Sequence, residues 1–297
     1  MKVKNLYAIL GVFLFLLFGC NNDNSAEQGT GKLTIRLTDE PFPHDLIAEA
    51  NVTIFKVEAR KKMEEDSGDM DMTEGSESED GSSFVVLMEE EIDVNLLSLT
   101  NGVTETLVDA AIPAGTYDLF RVYVKGVNVV LNDEAATTYD LTVPSGEQTG
   151  IKVFVTPALV VTGGLSADLL FDFDVSRSFV PRGNLRNDAN FNGFNFKPVI
   201  KVSNLTTSGT LYGEITTATD AENTVGLENV EVTVFQNGEI VTTTVTDAAG
   251  GYMVMGLPAG SYDVTAILEG YDAAGAEGVT VTAGNKTLQD FELVVSQ

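Results

Sequence analysis

Short segments rich in valine, isoleucine, threonine, phenylalanine and tyrosine recur along the chain, and glycine, proline, asparagine and aspartate separate them. This pattern is typical of short strands joined by turns. After the first 20 residues the apolar positions show no sustained 3.6-residue period, so no long helix is expected there. In the first part of the chain we predict strands at 32–38, 51–58, 84–88, 93–99, 117–131, 138–143, 151–161, 165–173 and 196–202.

A second group of strands is predicted near the C-terminus. Alternating apolar residues on either side of Asn237-Gly238 indicate a hairpin, because this dipeptide accepts the positive φ angles of a type I′ turn. The predicted fold is therefore all-β, with two tandem β-sandwich domains after a signal peptide and a flexible tether. The strands of this second group are expected at 210–216, 230–236, 239–246, 252–255, 261–268, 278–282 and 286–294.

The first 20 residues have the layout of a secretory leader. Lys2 and Lys4 precede an apolar stretch of 13 residues, 6–18, and Gly19-Cys20 follows it. A membrane-spanning helix needs roughly 20 apolar residues, so this stretch indicates a signal peptide over 1–19 and not a permanent span.

The end of the leader, Leu17-Phe18-Gly19-Cys20, resembles the lipobox of bacterial lipoproteins, although Phe18 is bulkier than the usual residue there. The resemblance implies that Cys20 is lipidated and that 20–30 form a tether. Asp23 and Glu27 resemble the acidic tethers that send some lipoproteins to the cell surface. We therefore expect a lipid anchor in a bacterial outer membrane, with the protein exposed at the surface. A plain signal peptide with an incidental cysteine is the alternative.

Composition restricts the partners and the chemistry. The chain has 44 acidic and 17 basic residues, and removal of Lys2 and Lys4 with the leader would move its formal charge from -27 to -29. Such a charge disfavours nucleic acid as a partner. His44 is the only histidine and Cys20 the only cysteine, so a disulfide within the chain is excluded, and a histidine-based zinc site and a Cys-His dyad are left almost without candidate residues. We expect no enzyme activity, although carboxylate chemistry stays open.

Six motifs in the first part resemble the DUF4382 family, a domain of unknown function common in bacterial lipoproteins. The resemblance implies a β domain over 31–203, and it implies no activity, because the family has none assigned. The motifs are GKLTIRLTDEP at 31–41, LLSL at 96–99, IPAGTY at 112–117, VPSG at 143–146, LFDFD at 170–174 and KPVI at 197–200.

The second part resembles the carboxypeptidase regulatory-like domain, a transthyretin-type sandwich grouped with carbohydrate-binding-like folds. The resemblance implies a non-catalytic accessory over 209–297 that binds a ligand or acts as a spacer. It rests on GEI at 213–215, LENVEV at 227–232, TDAAGGY at 246–252, LPAGSYDV at 257–264 and GY at 270–271.

One motif occurs in both halves, as PAGTYDL at 113–119 and PAGSYDV at 258–264. Two interpretations are open. The motif is either the trace of a duplication or a favourable turn sequence that leads independently in each half into a sandwich strand with a buried tyrosine.

Asp172 and Asp174 are two apart in a predicted strand, so their side chains should share a face. With Asp39 from a nearby turn they could hold Ca²⁺, which prefers carboxylate and carbonyl oxygens. A solvated strand face is the alternative. Asp188 to Gly193 copies the first half of a calcium loop, but Val199 stands where a bidentate glutamate is required, so an EF-hand is excluded. No other cofactor is indicated.

The segment 61–82 is predicted to be an acidic insertion between two strands. Nine carboxylates lie within 64–80, and the segment shows almost no apolar period. High charge and low hydrophobicity of this kind are typical of disordered segments.

The densest basic cluster contains Arg177, Arg182 and Arg186, in a stretch that also carries Phe179. Arginine and aromatic residues are common at recognition sites. We therefore predict a binding surface there, with Tyr271 as a further aromatic contact. The alternative is that the arginines neutralise nearby carboxylates and that the phenylalanine rings are buried in the core.

Together these features predict a non-catalytic, lipid-anchored envelope protein that binds carbohydrate or a protein partner. A structural spacer and a carboxylate-based hydrolase are the alternatives. The sequence indicates no oligomeric state.

Overall fold

The computed structural model describes residues 29–39, 46–62, 83–143, 148–184, 191–220 and 223–296. The predicted signal peptide, Cys20, most of the tether and nearly all of the acidic insertion lie outside these residues, as do His44 and Arg186. Within the described part of the chain, no helix has the length and apolar character that crossing a bilayer requires.

The first domain contains twelve described strands, one 3₁₀ turn at Leu96–Ser98 and one short helix, α1, at Val175–Ser178. The strands are β1 (Thr30–Thr38), β2 (Ile47–Lys61), β3 (Ser83–Met88), β4 (Ile92–Asn95), β5 (Glu105–Pro113), β6 (Gly115–Leu131), β7 (Thr138–Asp140), β8 (Ile151–Val161), β9 (Ser166–Phe173), β10 (Phe179–Pro181), β11 (Phe194–Phe196) and β12 (Ile200–Asn204).

Two sheets enclose the core of this domain. One has the order β12-β9-β1-β5, with β1 parallel to β9 and antiparallel to β5. In the other, β2 and β6 are central, β3 and β4 flank β2, and β7 and β8 flank β6. Phe120 from β6 meets Phe171 from β9 edge to face, with 5.7 Å between the ring centroids. Both rings are fully buried, and burial of such a side chain contributes about 1.5–3 kcal/mol to folding.

The second domain has its own core, formed by a separate cluster of buried residues. Its strands are β13 (Ser208–Ala218), β14 (Thr224–Gly226), β15 (Glu231–Gln236), β16 (Glu239–Val245), β17 (Gly251–Pro258), β18 (Gly260–Ile267), β19 (Ala274–Val281), β20 (Lys286–Leu288) and β21 (Phe291–Glu292). They form a sheet in which β13 pairs with β14, β17, β20 and β21, and a sheet of order β16-β15-β18-β19. The chain is therefore all-β, with two sandwich domains, as the sequence predicts.

The main strands of the two domains have the same topology. In the first, β1 pairs with β5 and, in parallel, with β9, while the opposite sheet runs from β3 and β4 through β2 and β6 to β8. In the second, β13 pairs with β17 and, in parallel, with β20 and β21, while the opposite sheet runs from β16 through β15 and β18 to β19. The order of pairing along the chain is the same in both.

The hairpin predicted at Asn237-Gly238 is confirmed. These residues have φ angles of 54° and 81°, and Gln236 pairs with Glu239 on either side of them. Three strand predictions in the first domain are wrong in part, since the one at 138–143 ends at Asp140, and β5 and β10 are not among the predicted strands. The strand predicted at 93–99 ends at Asn95, whose side chain accepts a hydrogen bond from the Leu97 amide and starts the 3₁₀ turn. The strand predicted at 196–202 is two strands, β11 and β12, which belong to different sheets.

A three-residue turn, 205–207, connects the domains. Asn204 organises this turn, because its carbonyl accepts hydrogen bonds from the Thr207 amide and the Ser208 hydroxyl, and its side-chain oxygen accepts one from the Thr206 amide. A further bond between the domains joins the Thr244 hydroxyl to Oδ1 of Asn101 over 3.1 Å. The connection is therefore short and hydrogen-bonded.

Candidate binding cleft between the domains

A cleft of about 550 Å³ lies where the two domains meet. Its walls come from the second half of β8, the loop into β9, the β12 strand with the turn that follows it, and the end of β17. Ligand sites of this size occur preferentially at domain boundaries. The cleft is therefore the candidate binding site of this chain.

No ionisable side chain is found among the described residues that line the cleft. This is unusual for a chain with 44 acidic and 17 basic residues. Aliphatic groups form part of the wall, and at its rim Val160 is 66% exposed and Leu165 is 62% exposed. Hydroxyl and amide groups form the rest, among them those of Thr156, Ser166, Ser203, Asn204, Thr207 and Ser208.

Close packing between the domains fixes the floor of the cleft. Gly256 of β17 has a φ of 76°, and a Cβ atom at this position would lie 2.7 Å from Cβ of Ser203 in β12. Only glycine accepts both this backbone angle and this approach. The three-residue turn after Asn204 joins β12 directly to β13 beside this contact. The cleft is thus formed by the way the domains are joined.

A second, much smaller crevice of about 60 Å³ adjoins the same boundary, and Asp39 and Asp172 both line it. Asp39 directly follows β1, and Asp172 lies in the neighbouring β9, where its parallel partner is Thr38. Asp39 is buried, and its Oδ1 accepts a hydrogen bond from the Val175 amide over 3.2 Å. The structure therefore brings together two of the three aspartates that the sequence singles out.

The third aspartate, Asp174, has a separate position. Strand β9 ends at Phe173, so the prediction that Asp174 continues this strand beside Asp172 is wrong. Asp174 is the N-cap of α1, where its carboxylate accepts hydrogen bonds from the Arg177 amide and the Ser176 hydroxyl. The ammonium group of Lys201 lies 3.6 Å from its Oδ2 atom. Capping with a charged partner accounts for this buried carboxylate.

Among the described residues, no group of three or more histidine, cysteine, aspartate or glutamate side chains is arranged to hold a metal ion. Calcium binding by Asp39, Asp172 and Asp174 therefore stays a prediction from the sequence.

The predicted arginine and phenylalanine surface is only partly present. Phe179 is fully buried, so its predicted role as an exposed contact is wrong. It pairs with Phe196 across the β10–β11 hairpin, and its ring packs against Phe196 and Phe173 at centroid distances of 5.2 Å and 6.5 Å. Arg177 and Arg182 are exposed, while Arg186 lies outside the described residues.

Tyr271 belongs to the second domain. Its ring is half-buried against that domain's core, and its backbone forms an isolated bridge with Val295. The binding role of Tyr271 stays a prediction from the sequence.

The fold and the cleft define a tandem β-sandwich protein with an uncharged crevice at the domain boundary. The chain belongs to the DUF4382 family, since the model of this domain of unknown function matches residues 30–198. The model of the carboxypeptidase regulatory-like domain matches residues 210–294. Both resemblances seen in the sequence are confirmed. No curated protein matches the chain in sequence.

Several solved pilin structures are distantly similar. GBS52, the minor pilin of Streptococcus agalactiae, is 12% identical with a TM-score of 0.26, and the match covers 90% of this chain and 97% of that one. The shaft pilin SpaA of Lactobacillus rhamnosus GG is 10% identical with a TM-score of 0.28, over 91% and 98% of the two chains. The major pilin SpaD of Corynebacterium diphtheriae is 9% identical with a TM-score of 0.24, over 92% and 99%. Values this low carry no argument about the function of this chain.

Proposed function

We propose that this chain is a non-catalytic lipoprotein of a bacterial outer membrane, exposed at the cell surface, which holds a neutral, partly apolar segment of a protein partner in the cleft between its domains. Carbohydrate is the less favoured ligand for this cleft, because no aromatic ring is found among its described lining residues to pack against a sugar.

The uncharged lining of the cleft carries this proposal. Removing a charged group from water without a partner is costly, so a ligand that fills an uncharged crevice should itself be neutral. The exposed aliphatic side chains of Val160 and Leu165 can bury apolar groups, and the surrounding hydroxyls and the Asn204 amide can pair with peptide groups.

The same lining supports a non-catalytic role. General acid and base catalysis needs a titratable group within hydrogen-bond reach of the substrate, and the described cleft residues offer none. Of the three aspartates that the sequence singles out, only Asp39 and Asp172 share a crevice and could serve a carboxylate-based hydrolase together, since Asp174 is engaged as a helix cap. That crevice, at about 60 Å³, is too small for a polymeric substrate.

The lipid anchor and the outer-membrane location rest on the leader and on Cys20. A protein tethered in this way would hold its cleft outside the bilayer, where an envelope partner could reach it. A structural spacer is the remaining alternative, and it requires no partner in the cleft.

Site-specific photo-crosslinking in intact cells tests the proposal. A photoreactive residue replaces Val160 at the rim of the cleft or, as a matched control, Ile240 in β16, which is 65% exposed. We expect one discrete crosslinked partner protein from position 160 and none from position 240. Absence of a crosslink at 160 would favour the spacer, and the same crosslink from both positions would place the partner elsewhere.

A further inference from the structure

The surface of the β3-β2-β6-β8 sheet that faces away from the core of the first domain is rich in cations and aromatic rings. We call it the basic face. The chain as a whole has 44 acidic against 17 basic residues, and at this surface Lys56 pairs with Glu58 and Glu89 and Lys125 pairs with Glu91. The basic face is defined by Lys56, Arg121, Lys125 and Lys152 and by the rings of Phe55, Phe84, Tyr123 and Phe154.

Cations lie directly over three of these rings. The guanidinium carbon of Arg121 is 3.9 Å from the centroid of Phe84, and the ammonium of Lys56 is 5.3 Å from that of Tyr123. Lys125 lies 5.7 Å from the centroid of Phe55. Attraction between a cation and a ring face holds such pairs in place. The basic face is therefore an ordered surface in which charges and rings alternate.

The carboxylate directly across from Arg121 is already engaged. Glu58 is the cross-strand partner of Arg121, but its Oε1 binds Lys56 and its Oε2 accepts a hydrogen bond from the Tyr123 hydroxyl over 2.7 Å. Burial alone would raise the pKa of Glu58, and the hydrogen bonds from Lys56 and Tyr123 outweigh it, so the pKa lies below the ordinary glutamate value. Glu58 is thus ionised and bound to two other groups.

Arg121 and Lys152 form a pair of like charges. They are direct cross-strand partners of β6 and β8, which puts their side chains on the same face of the sheet. Arg121 also lies across from Glu58 on its other side, and its charge helps to lower the pKa of that carboxyl, but Nε of Arg121 is buried without a hydrogen-bond partner among the described residues. Like charges directly opposite each other destabilise a sheet. An anion bound between them would remove this cost.

An apolar ring lies beside this pair of cations. Phe154 is two residues from Lys152 on the same strand, so it shares the face, and it is 64% exposed. A large ring left this exposed next to two cations is suited to a ligand that has a carboxylate close to a flat apolar surface.

We propose that the basic face binds a carboxylated polysaccharide, with uronate carboxylates at Arg121 and Lys152 and a sugar ring against Phe154. This site is distinct from the interdomain cleft and goes beyond the function proposed for it. An acidic peptide is the competing ligand, because β8, which carries Lys152 and Phe154, pairs only with β6 in this sheet, and the exposed ring of Phe154 beside the two cations favours the flat face of a sugar over it. The carboxylates at this face are engaged by Lys56 and Lys125, and at physiological salt screening confines the field of the more distant acidic residues to about 8 Å.

The test is an isothermal titration calorimetry experiment in which polygalacturonate is added to a soluble chain of residues 21–297 at physiological salt. Fully methyl-esterified polygalacturonate, which keeps the sugar backbone without the charges, and poly-glutamate, which keeps the charges without the sugar, are the comparison ligands. We expect binding of polygalacturonate only. The variant Arg121→Gln/Lys152→Gln should bind at least tenfold more weakly, because two charge-assisted hydrogen bonds are lost.

A control variant, Lys197→Gln/Lys286→Gln, removes two exposed cations elsewhere and should leave the affinity unchanged. Phe154→Ser keeps every charge and should also weaken binding, which covers the case in which the arginine variant fails to fold. The proposal is overturned if the unaltered chain does not bind polygalacturonate, if the esterified polymer or poly-glutamate binds equally well, or if both double variants lose the same affinity.

Discussion

The hydroxyl groups of Tyr117 and Tyr262 make the same hydrogen bond in the two domains, each donating over 2.7 Å to the carbonyl oxygen of the proline four residues earlier. Both tyrosines are buried where the chain crosses from one sheet to the other, from β5 to β6 and from β17 to β18. The repeated motif of the sequence is therefore one structural element. The motif occupies the same position in two domains of the same topology, which favours the interpretation that a single sandwich was duplicated.

This bond should contribute similarly to both domains. We expect Tyr117→Phe and Tyr262→Phe each to lower the free energy of unfolding by about 1 kcal/mol, because a partly buried proline carbonyl loses its donor. Tyr212→Phe is the matched control, since Tyr212 lies in β13 and its hydroxyl bonds to no described residue. Urea unfolding followed by circular dichroism measures the change. Variants at 117 and 262 that are as stable as the control would contradict this role.

The sandwiches could be predicted because their signals are local. Alternating apolar residues mark most of the strands, and Asn237-Gly238 marks a turn by its own backbone preference. Predictions failed where a side chain or a partner strand decides the outcome. Asn95 ends β4 by capping the next turn, and Phe179 is drawn into the core by its pairing with Phe196. Asparagine is a preferred cap residue, so Asn95 carries a signal for the turn that the strand pattern overrides, whereas the burial of Phe179 has no signature in the sequence around it.

The cleft and the basic face could not be predicted for a different reason. The cleft is built from residues near 155–167, 202–208 and 256–258, which only the docking of two domains brings together. Arg121 and Lys152 are 31 positions apart in sequence, and their pairing depends on the register of β6 against β8. That register includes a bulge between Tyr117 and Leu119, so alternation alone does not give it.

Calcium binding at Asp39 and Asp172 can be tested directly. If Ca²⁺ binds there, it should stabilise the fold by RT ln(1 + [L]/Kd), or about 2.7 kcal/mol at a hundredfold excess over Kd. Thermal unfolding in millimolar Ca²⁺ should then occur at a higher temperature than in Mg²⁺ at matched ionic strength. The variant Asp39→Asn/Asp172→Asn should remove this difference. Equal shifts for both ions would leave only general screening of an acidic chain.

The acidic insertion should be dispensable for folding. Because the entropy of loop closure changes slowly with length, replacement of 63–82 by a short glycine-serine loop should shift the melting temperature by no more than a few degrees. The β2–β3 pairing on either side, from Val57 with Met88 to Lys61 with Ser83, would remain. Differential scanning calorimetry measures the shift. A larger drop would mean that the segment packs against the domain.

The lipid anchor predicts a clear effect of Cys20→Ala. Each buried methylene of an acyl chain contributes about 0.8 kcal/mol to membrane binding, and more than one chain is needed for stable anchoring. The variant should therefore lose lipid labelling and leave the membrane fraction, or remain unprocessed. Fractionation of cells that express both forms gives the answer. Normal processing and membrane sedimentation of the variant would exclude the lipoprotein interpretation.

The central claim is that the uncharged cleft between the domains holds a neutral segment of a protein partner. The most direct measurement is the affinity of the partner crosslinked through position 160 for a soluble chain of residues 21–297 and for Val160→Arg/Leu165→Arg. Both side chains are more than half exposed, so the charges should enter without unfolding the domain. We predict at least a tenfold loss of affinity for this variant and no change for Ile240→Arg, since burying an unpaired charge is costly. Equal affinity for all three proteins would contradict the account.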